Sequence, residues 1–298
     1  MRRFQIHWFF EWSGVMLFVG LCNLLPLPWA LEMGKKLGLL AWKFDKRDRT
    51  ISLINLQNAF QGVKSKEEII QLSKACFLQL GESIVEYARL PRYHKEENGK
   101  HVSIEGLEHL LEAQKKGKGV ILLTGHFGNW ELLGVTLANL GFPLHVVARR
   151  LDNPFLNSWV IRRRTMTGNT VIEKNQATKA VLTLLKSGEV VAFLLDQDTK
   201  SGDGVFVPFF NRPACTSKSV AVIALRRGVS VLPMFITRLD GGHHRISIEK
   251  ELPVIRTGQT GEDIIQNTAR YTGILEDKIR EHPEQWVWIH RRWKTQPL

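Results

Sequence analysis

The segment Gly125-His126-Phe127-Gly128-Asn129-Trp130-Glu131 sets a histidine and a carboxylate at His-x4-Glu spacing. An imidazole titrates near neutral pH. A carboxylate on one ring nitrogen fixes the tautomer and stabilises the imidazolium that forms when the other nitrogen takes a proton. A general base of this kind contributes about 10²–10⁴-fold to a rate. The apolar run Val120-Ile121-Leu122-Leu123 reads as a buried strand and leads into Thr124-Gly125-His126, so the histidine falls at a strand end. Asn129 suits the N-cap of a following helix. Glu131 then lies in the first turn, where the helix dipole favours an acid. A turn at Gly125 and Gly128 can bring the Glu131 carboxylate to the His126 ring, and free amides near Gly128 and Asn129 can serve an oxyanion. A helix-cap turn with an incidental histidine fits the same spacing, and the residues alone leave both readings open.

The chain offers this base no evident side-chain nucleophile. It has no Gly-x-Ser-x-Gly elbow and no His-Glu-x-x-His metal pair. Cys22, Cys76 and Cys215 lie far apart and form no Cys-x-x-Cys pair. They read as packing thiols in a reducing compartment, not as a disulfide framework or a zinc site. If His126 is a base, the nucleophile comes from the substrate or from water, and no cofactor is expected.

The elements that must hold these residues show in the apolar patterning. Residues 48–90 carry apolar side chains at helical spacing, among them Ile69, Leu72, Ala75, Cys76 and Leu80. A polar stretch at 92–101 reads as a linker. Beyond it, strand-like runs at 120–123, 144–147, 190–195, 229–236 and 245–248 alternate with helical patterns at 129–140, 155–167, 178–186 and 217–227. This alternation predicts an α/β fold with a mostly parallel central sheet flanked by helices. Ligands bind beyond the carboxyl ends of the strands in such sheets, where His126 falls. The expected organisation is an N-terminal membrane anchor at 1–31, a helical preamble at 32–100 and a catalytic domain at 101–298.

The anchor rests on an uncharged apolar stretch from Trp12 to Leu31. Pro26 and Pro28 should end a helix near Leu25. A helix from Trp12 to Leu25 is about 21 Å long at ~1.5 Å per residue, short of the ~30 Å hydrocarbon core. Ile6 to Phe10 lengthen it past Glu11. A spanning or interfacial anchor and a buried core helix both fit, and no small-x-small site supports a cleaved leader. Trp8, Trp12 and Trp29 lie near the ends, where interfacial aromatics gather. Lys35, Lys36, Lys43, Lys46, Arg47 and Arg49 follow. Each is worth about 1 kcal/mol near an anionic leaflet. Over 298 residues, 41 Lys+Arg against 29 Asp+Glu give +12, so an anionic partner is expected. No zinc-finger or ribonucleoprotein motif points to nucleic acid. A membrane surface, a phosphorylated substrate or an acidic carrier protein fits better.

The heptad at 125–131 resembles the first motif of the bacterial lipid A biosynthesis acyltransferases, the late lauroyl/myristoyl transferases. These are a branch of the glycerolipid-type His-x4-Asp/Glu acyltransferases. The resemblance runs through nearly the whole chain. Arg49, Asn55, Ala59-Phe60 and Glu86 are similar to the helical preamble, and Ala148-Arg149-Arg150-Leu151-Asp152-Asn153-Pro154 to the second motif. Arg164 and Gly168 follow it. Asp196-Gln197, Gly204-Val205-Phe206-Val207-Pro208-Phe209-Phe210 and Ala214-Cys215-Thr216 are similar to the third motif, and Pro233 and Arg238 to the next strand. The run from Pro283 to Lys294 is similar to the C-terminal signature. Arg150 stands where proline is expected, and Asn211 where glycine is. The resemblance implies direct transfer of an acyl chain from acyl carrier protein to a hydroxyl of a lipid A precursor. This late step of lipopolysaccharide biosynthesis would run at the cytoplasmic face of the bacterial inner membrane. His126 would deprotonate the hydroxyl and Glu131 would orient and charge-balance it, with no acyl-enzyme and no metal.

With that resemblance, Arg149 and Arg164 are expected on acceptor phosphates or on charge at the thioester, because guanidinium forks suit phosphate. Solvated surface arginines are the rival reading. Asn129 and Gln197 complete the expected substrate-binding set. Asp196 closes an apolar strand and is expected to order the active-site arginines or the loop at 197–204, unless it is a turn cap. Phe209 and Phe210, with Phe206, would line an acyl tunnel or simply fill the core. Arg292, with Arg291, Trp286, Trp288 and Trp293, would meet headgroups or phosphates, with core packing an equal rival. His94, His101, His109, His243 and His244 read as surface residues. Other functions in view are acylation of another membrane glycolipid, hydrolysis of a lipid by water, and non-catalytic binding by a basic lipid-binding protein.

Overall fold

A computed structural model describes residues 5–95, 100–173 and 177–297, so the expected linker at 92–101 lies partly outside the described residues. Four helices come first: α1 (Ile6–Leu24), α2 (Leu27–Phe44), α3 (Lys46–Ala59) and α4 (Lys66–Lys95). α1 stops where Pro26 cannot continue it, and Pro28 sits in the first turn of α2, the place a helix accepts proline. The apolar stretch is thereby cut in two. Among the described residues no helix is long and apolar enough to cross a membrane, which corrects the expectation of a spanning anchor at 1–31.

α1 is instead fastened to the fold near both ends. Buried Arg89 on α4 donates to the carbonyl oxygens of Cys22 at 2.6 Å and Leu25 at 2.8 Å. A helix C-terminus leaves such carbonyls without intrahelical partners. Nearer the start, Asn153 Nδ2 donates to Trp8 O and to Glu11 Oε2, each at 2.9 Å. α2 then packs backbone to backbone on α4. A Cβ at Gly38 would stand 2.1 Å from the carbonyl oxygen of Phe77, so no other residue fits there without moving the helices apart.

The remaining chain alternates. In order it forms β1 (Val102–Glu105), α5 (Leu107–Lys115), β2 (Val120–Thr124), α6 (Trp130–Asn139), β3 (His145–Ala148), α7 (Pro154–Thr165), β4 (Thr170–Glu173), α8 (Ala177–Lys186) and β5 (Val190–Leu194). A hairpin of β6 (Gly204–Phe209) and β7 (Arg212–Ser217) follows, then α9 (Ser219–Arg227), β8 (Ser230–Arg238), β9 (His244–Ile248) and α10 (Thr260–Glu281). The main sheet has the order β1-β9-β8-β2-β5-β3-β4. Every pairing in it is parallel except β8 with β9. The expected mostly parallel α/β sheet flanked by helices is thus present.

β2 lies at the centre and is buried along its whole length, as parallel strands covered on both faces are. Successive residues point to opposite faces. Leu122 packs with Leu90, Leu132 and Ile246 on one side, and Ile121 and Leu123 with Val191, Val231 and Tyr271 on the other. A separate aromatic core of Phe127, Phe209, Phe210, Phe235, Trp286, Trp288 and Trp293 lies beyond the strand ends, with α3 and α10 packed on it.

Candidate active site

β2 and β5 are parallel neighbours in register, Thr124 opposite Leu194, so the chain leaves both strands at one edge of the sheet. The pairing runs one step further, the Leu195 amide donating to Thr124 O at 3.0 Å. The next residues are His126 and Asp196, and they meet. His126 Nδ1 lies 2.9 Å from Asp196 Oδ1, and the His126 backbone amide donates to Oδ2 at 2.8 Å. Trp286 Nε1 donates to the same Oδ2 at 2.8 Å. Gly125 makes room for this: a Cβ there would stand 3.2 Å from Asp196 Cγ.

Burial alone would raise the Asp196 carboxyl, but the His126 ring, the His126 amide and the Trp286 indole hold it down at about 2. It is therefore ionised near neutral pH, and His126 Nδ1 must be the donor between them. Burial alone would lower His126. The facing Asp196 charge and hydrogen bond more than offset that and raise the imidazole above its ordinary value, with Glu131 adding to the rise and Arg164 opposing it. Nε2 is left as the lone-pair nitrogen. The side chain is 24% exposed, and the amide nitrogen of exposed Gln197 lies 3.4 Å from Nε2.

The geometry corrects the role expected for Glu131. Its carboxylate is taken by Arg164, whose Nε donates to Oε2 at 2.9 Å and to Oε1 at 3.2 Å, with Nη2 also on Oε1. The two groups are 17% and 27% exposed, and the pair ties α6 to α7. No hydrogen bond joins Glu131 to His126 among the described contacts. Glu131 reaches the imidazole as a charge, while Asp196 is the group that orients it. Arg164, expected on a phosphate, has its fork filled by a carboxylate.

Other expected ligands are inside the protein. Asn129 does cap α6, its Oδ1 accepting the Leu132 amide at 3.1 Å, but its Nδ2 donates to buried Glu86 at 2.7 Å. It offers a substrate nothing. The Gly128 amide, expected near an oxyanion, donates to Gln285 O at 2.9 Å. Arg292 is fully buried. It lies over the Phe209 ring and donates to Cys215 O at 2.9 Å and to Thr216 Oγ1, so it clamps β7 and cannot meet a headgroup. Phe209 and Phe210 are packed into the tryptophan cluster, with Trp286 and Trp288 edge to face at 4.6 Å. They are core residues. Phe210 and Asn211 form the two-residue β6–β7 turn, both at positive φ. Asparagine tolerates that conformation, which explains its place where glycine was expected. Arg149 is exposed just past the end of β3, and Arg150 beside it.

Four residues have partners that the sequence reading does not find. Trp286 is a donor to the key carboxylate. His290 accepts the Asp198 amide at 3.0 Å through Nε2, and burial pushes it below its usual value. Glu86 is fully buried. His244, expected at the surface, is also buried and lies 2.9 Å from Glu86 through Nε2. No spacing signals these partners; each pairing depends on which elements become neighbours.

A family model described as bacterial lipid A biosynthesis acyltransferase matches residues 2–295. The chain is 30% identical over 276 residues to a lipid A biosynthesis palmitoleoyltransferase of Escherichia coli strain K12, covering 92% of this chain and 88% of that protein. It is 28% identical over 277 residues to a lipid A biosynthesis lauroyltransferase of the same strain, with the same coverage. It is 25% identical over 194 residues to a phosphatidylinositol mannoside acyltransferase of Mycobacterium tuberculosis, covering 64% of this chain and 59% of that one. A histidine oriented by a buried carboxylate and a match across almost every residue belong together: the chain is an acyltransferase of the bacterial lipid A biosynthesis acyltransferase family.

Proposed function

We propose that the protein transfers a fatty acyl chain from acyl carrier protein to a hydroxyl of a lipid A precursor, with His126 as general base. The observation that carries this reading is the His126–Asp196 contact, which fixes Nδ1 as the donor and turns Nε2, the proton-accepting nitrogen of the neutral ring, to a partly exposed position. Nε2 takes the proton of the acceptor hydroxyl as its oxygen attacks the thioester carbonyl. The tetrahedral intermediate collapses, the thiolate leaves, and the imidazolium returns the proton to it. Asp196 stabilises the imidazolium between those steps. Charge on the carbonyl oxygen develops beside the α6 N-terminus, whose first amides have no intrahelical acceptor. Gln197 must leave Nε2 when the hydroxyl arrives, and its amide then lies within reach of the reacting groups. Exposed Arg149, with Arg150 beside it, is a cation available to an acceptor phosphate.

The acceptor is a membrane lipid, and the surface fits an interfacial placement at the cytoplasmic face of the inner membrane. Phe10, Leu17, Leu24, Trp29 and Phe44 on α1 and α2 are exposed apolar side chains, and Lys36, Lys43, Lys46 and Arg47 are exposed nearby. The test is transfer from acyl carrier protein to a lipid A precursor, read by mass spectrometry. Wild-type protein adds one acyl chain, and His126→Ala loses about 10²–10⁴-fold in rate. Transfer by His126→Ala at the wild-type rate removes the mechanism.

A further inference from the structure

The His126 turn is held from behind by a charge cluster that the mechanism above does not use. Its centre is Glu86 on α4, which is fully buried. The carboxylate accepts from Arg238 through both terminal nitrogens, the Nη2 bond being 2.7 Å. It also meets His244 Nε2 at 2.9 Å and Asn129 Nδ2 at 2.7 Å. Burial alone would raise its carboxyl, yet His244 and Arg238 hold it down at about 2, so it stays charged. Glu82, beside it, lies 3.9 Å from Arg238 Nε and 3.4 Å from Lys35 Nζ.

Two arms lead from Glu86 to the reacting groups. The first is Asn129, which Glu86 fixes by its amide while its oxygen caps α6; Glu131 lies in that first turn. The second is Arg238, whose backbone is clasped by Gln285, amide to Oε1 at 2.8 Å and Nε2 to O at 3.0 Å. Gln285 O accepts the Gly128 amide, the next residue's indole donates to Asp196, and the Val287 amide donates to His126 O. One buried carboxylate thus sets the ground for both His126 and its partner Asp196.

We propose that Glu86 is a positioning residue for the acyl-transfer site, acting through Asn129 and through Arg238–Gln285. It touches no reacting atom, and the proposal rests on the reading of His126 as the base. A cluster that only supported the fold would change the amount of active protein and nothing else. A positioning residue must change how His126 behaves.

The experiment compares wild type, Glu86→Gln, Asn129→Ala, the double variant and Glu86→Asp, with His126→Ala alongside. It measures kcat, KM and the pH dependence of kcat/KM on the full chain. In Glu86→Gln, kcat falls by up to about 100-fold, the size that ~1 Å of misplacement can cost, with KM for the acyl donor little changed. The acidic limb set by His126 moves to lower pH, because a loosened Asp196 contact no longer raises the imidazole. Glu86→Asp recovers part of kcat. Asn129→Ala moves the limb the same way, and the two losses fail to add in the double variant, as coupled groups do. An unmoved limb with additive losses overturns the proposal. If Glu86→Gln does not fold, Asn129→Ala, which leaves the Glu86–Arg238 pair in place, decides by the same limb. Wild-type rates in His126→Ala would sink the base reading itself, an outcome distinct from an unmoved limb with His126→Ala inactive.

Discussion

Asp196 and Glu131 are two carboxylates beside one histidine, and they are held in opposite ways. Asp196 is 2% exposed and accepts an indole, a backbone amide and the imidazole, while Arg292 reaches it as a charge without a hydrogen bond among the described residues. Glu131 is 17% exposed and has both oxygens on Arg164. A buried carboxylate that no arginine hydrogen-bonds keeps its charge for the imidazolium; one already paired largely cancels with its partner at a distance. Sequence proximity pointed to Glu131, but the carboxylate that acts on His126 is the one 70 residues away. Spacing along the chain is a weaker guide to partnership than adjacency of strand ends.

The comparison can be broken most severely at Asp196. Asp196→Asn removes the charge from His126 Nδ1 and presents an amide that can hold the wrong tautomer. The rate of transfer should fall by about 10²–10⁴-fold, read in the same lipid assay, with little change in KM for the acceptor. Glu131→Ala should come next. It releases Arg164 and unties α6 from α7, and the loss of up to about 100-fold reflects displaced groups more than a missing base partner. Restoring the pairing with Glu131→Asp should recover part of it.

Trp286→Phe should cost less still. It deletes one of the donors to Asp196 and leaves the His126 contact. Hydrogen bonds to charged groups are worth about 1.5–3 kcal/mol, which sets the expected loss of stability in urea unfolding. The sign of its pH dependence follows from the shifts. Asp196 is depressed from an unfolded value of about 3.9, so its contribution is complete above that value and disappears as pH falls through its folded value of about 2. His126 is raised, so its contribution is complete below about 6.5 and disappears as pH rises through the folded value. The stabilisation by the pair is therefore fullest between about 4 and 6.5, and Asp196→Asn should flatten both slopes.

Much of this frame was legible beforehand. The runs at 120–123 and 190–195 became β2 and β5, and Asn129 began the helix that capping chemistry assigned to it. β4 was missed because a four-residue edge strand, Thr170–Glu173, carries little apolar signal. The role of Asp196 was missed although its place at a strand end was visible. Nothing in the chain says that β5 lies directly beside β2, and only that adjacency brings it to His126. The roles of Arg292 and Glu86 were illegible for the same reason: what a charged residue does is not fixed until its buried partners, Cys215 and Thr216 or Arg238 and His244, are known. The N-terminal stretch reads as an anchor on apolar count and flanking charge even though its prolines mark a break near Leu25, and the arginine that binds the helix end does not show in the sequence.

The most direct measurement is the pH dependence of kcat/KM for acyl transfer in wild type, Asp196→Asn and Glu131→Gln. The acidic limb of the wild type should lie above the ordinary histidine value of about 6.5. Asp196→Asn should move it down the furthest, and Glu131→Gln by less. A limb that stays in place in Asp196→Asn, while Glu131→Gln shifts it most, would contradict the assignment of Asp196 as the partner of the base.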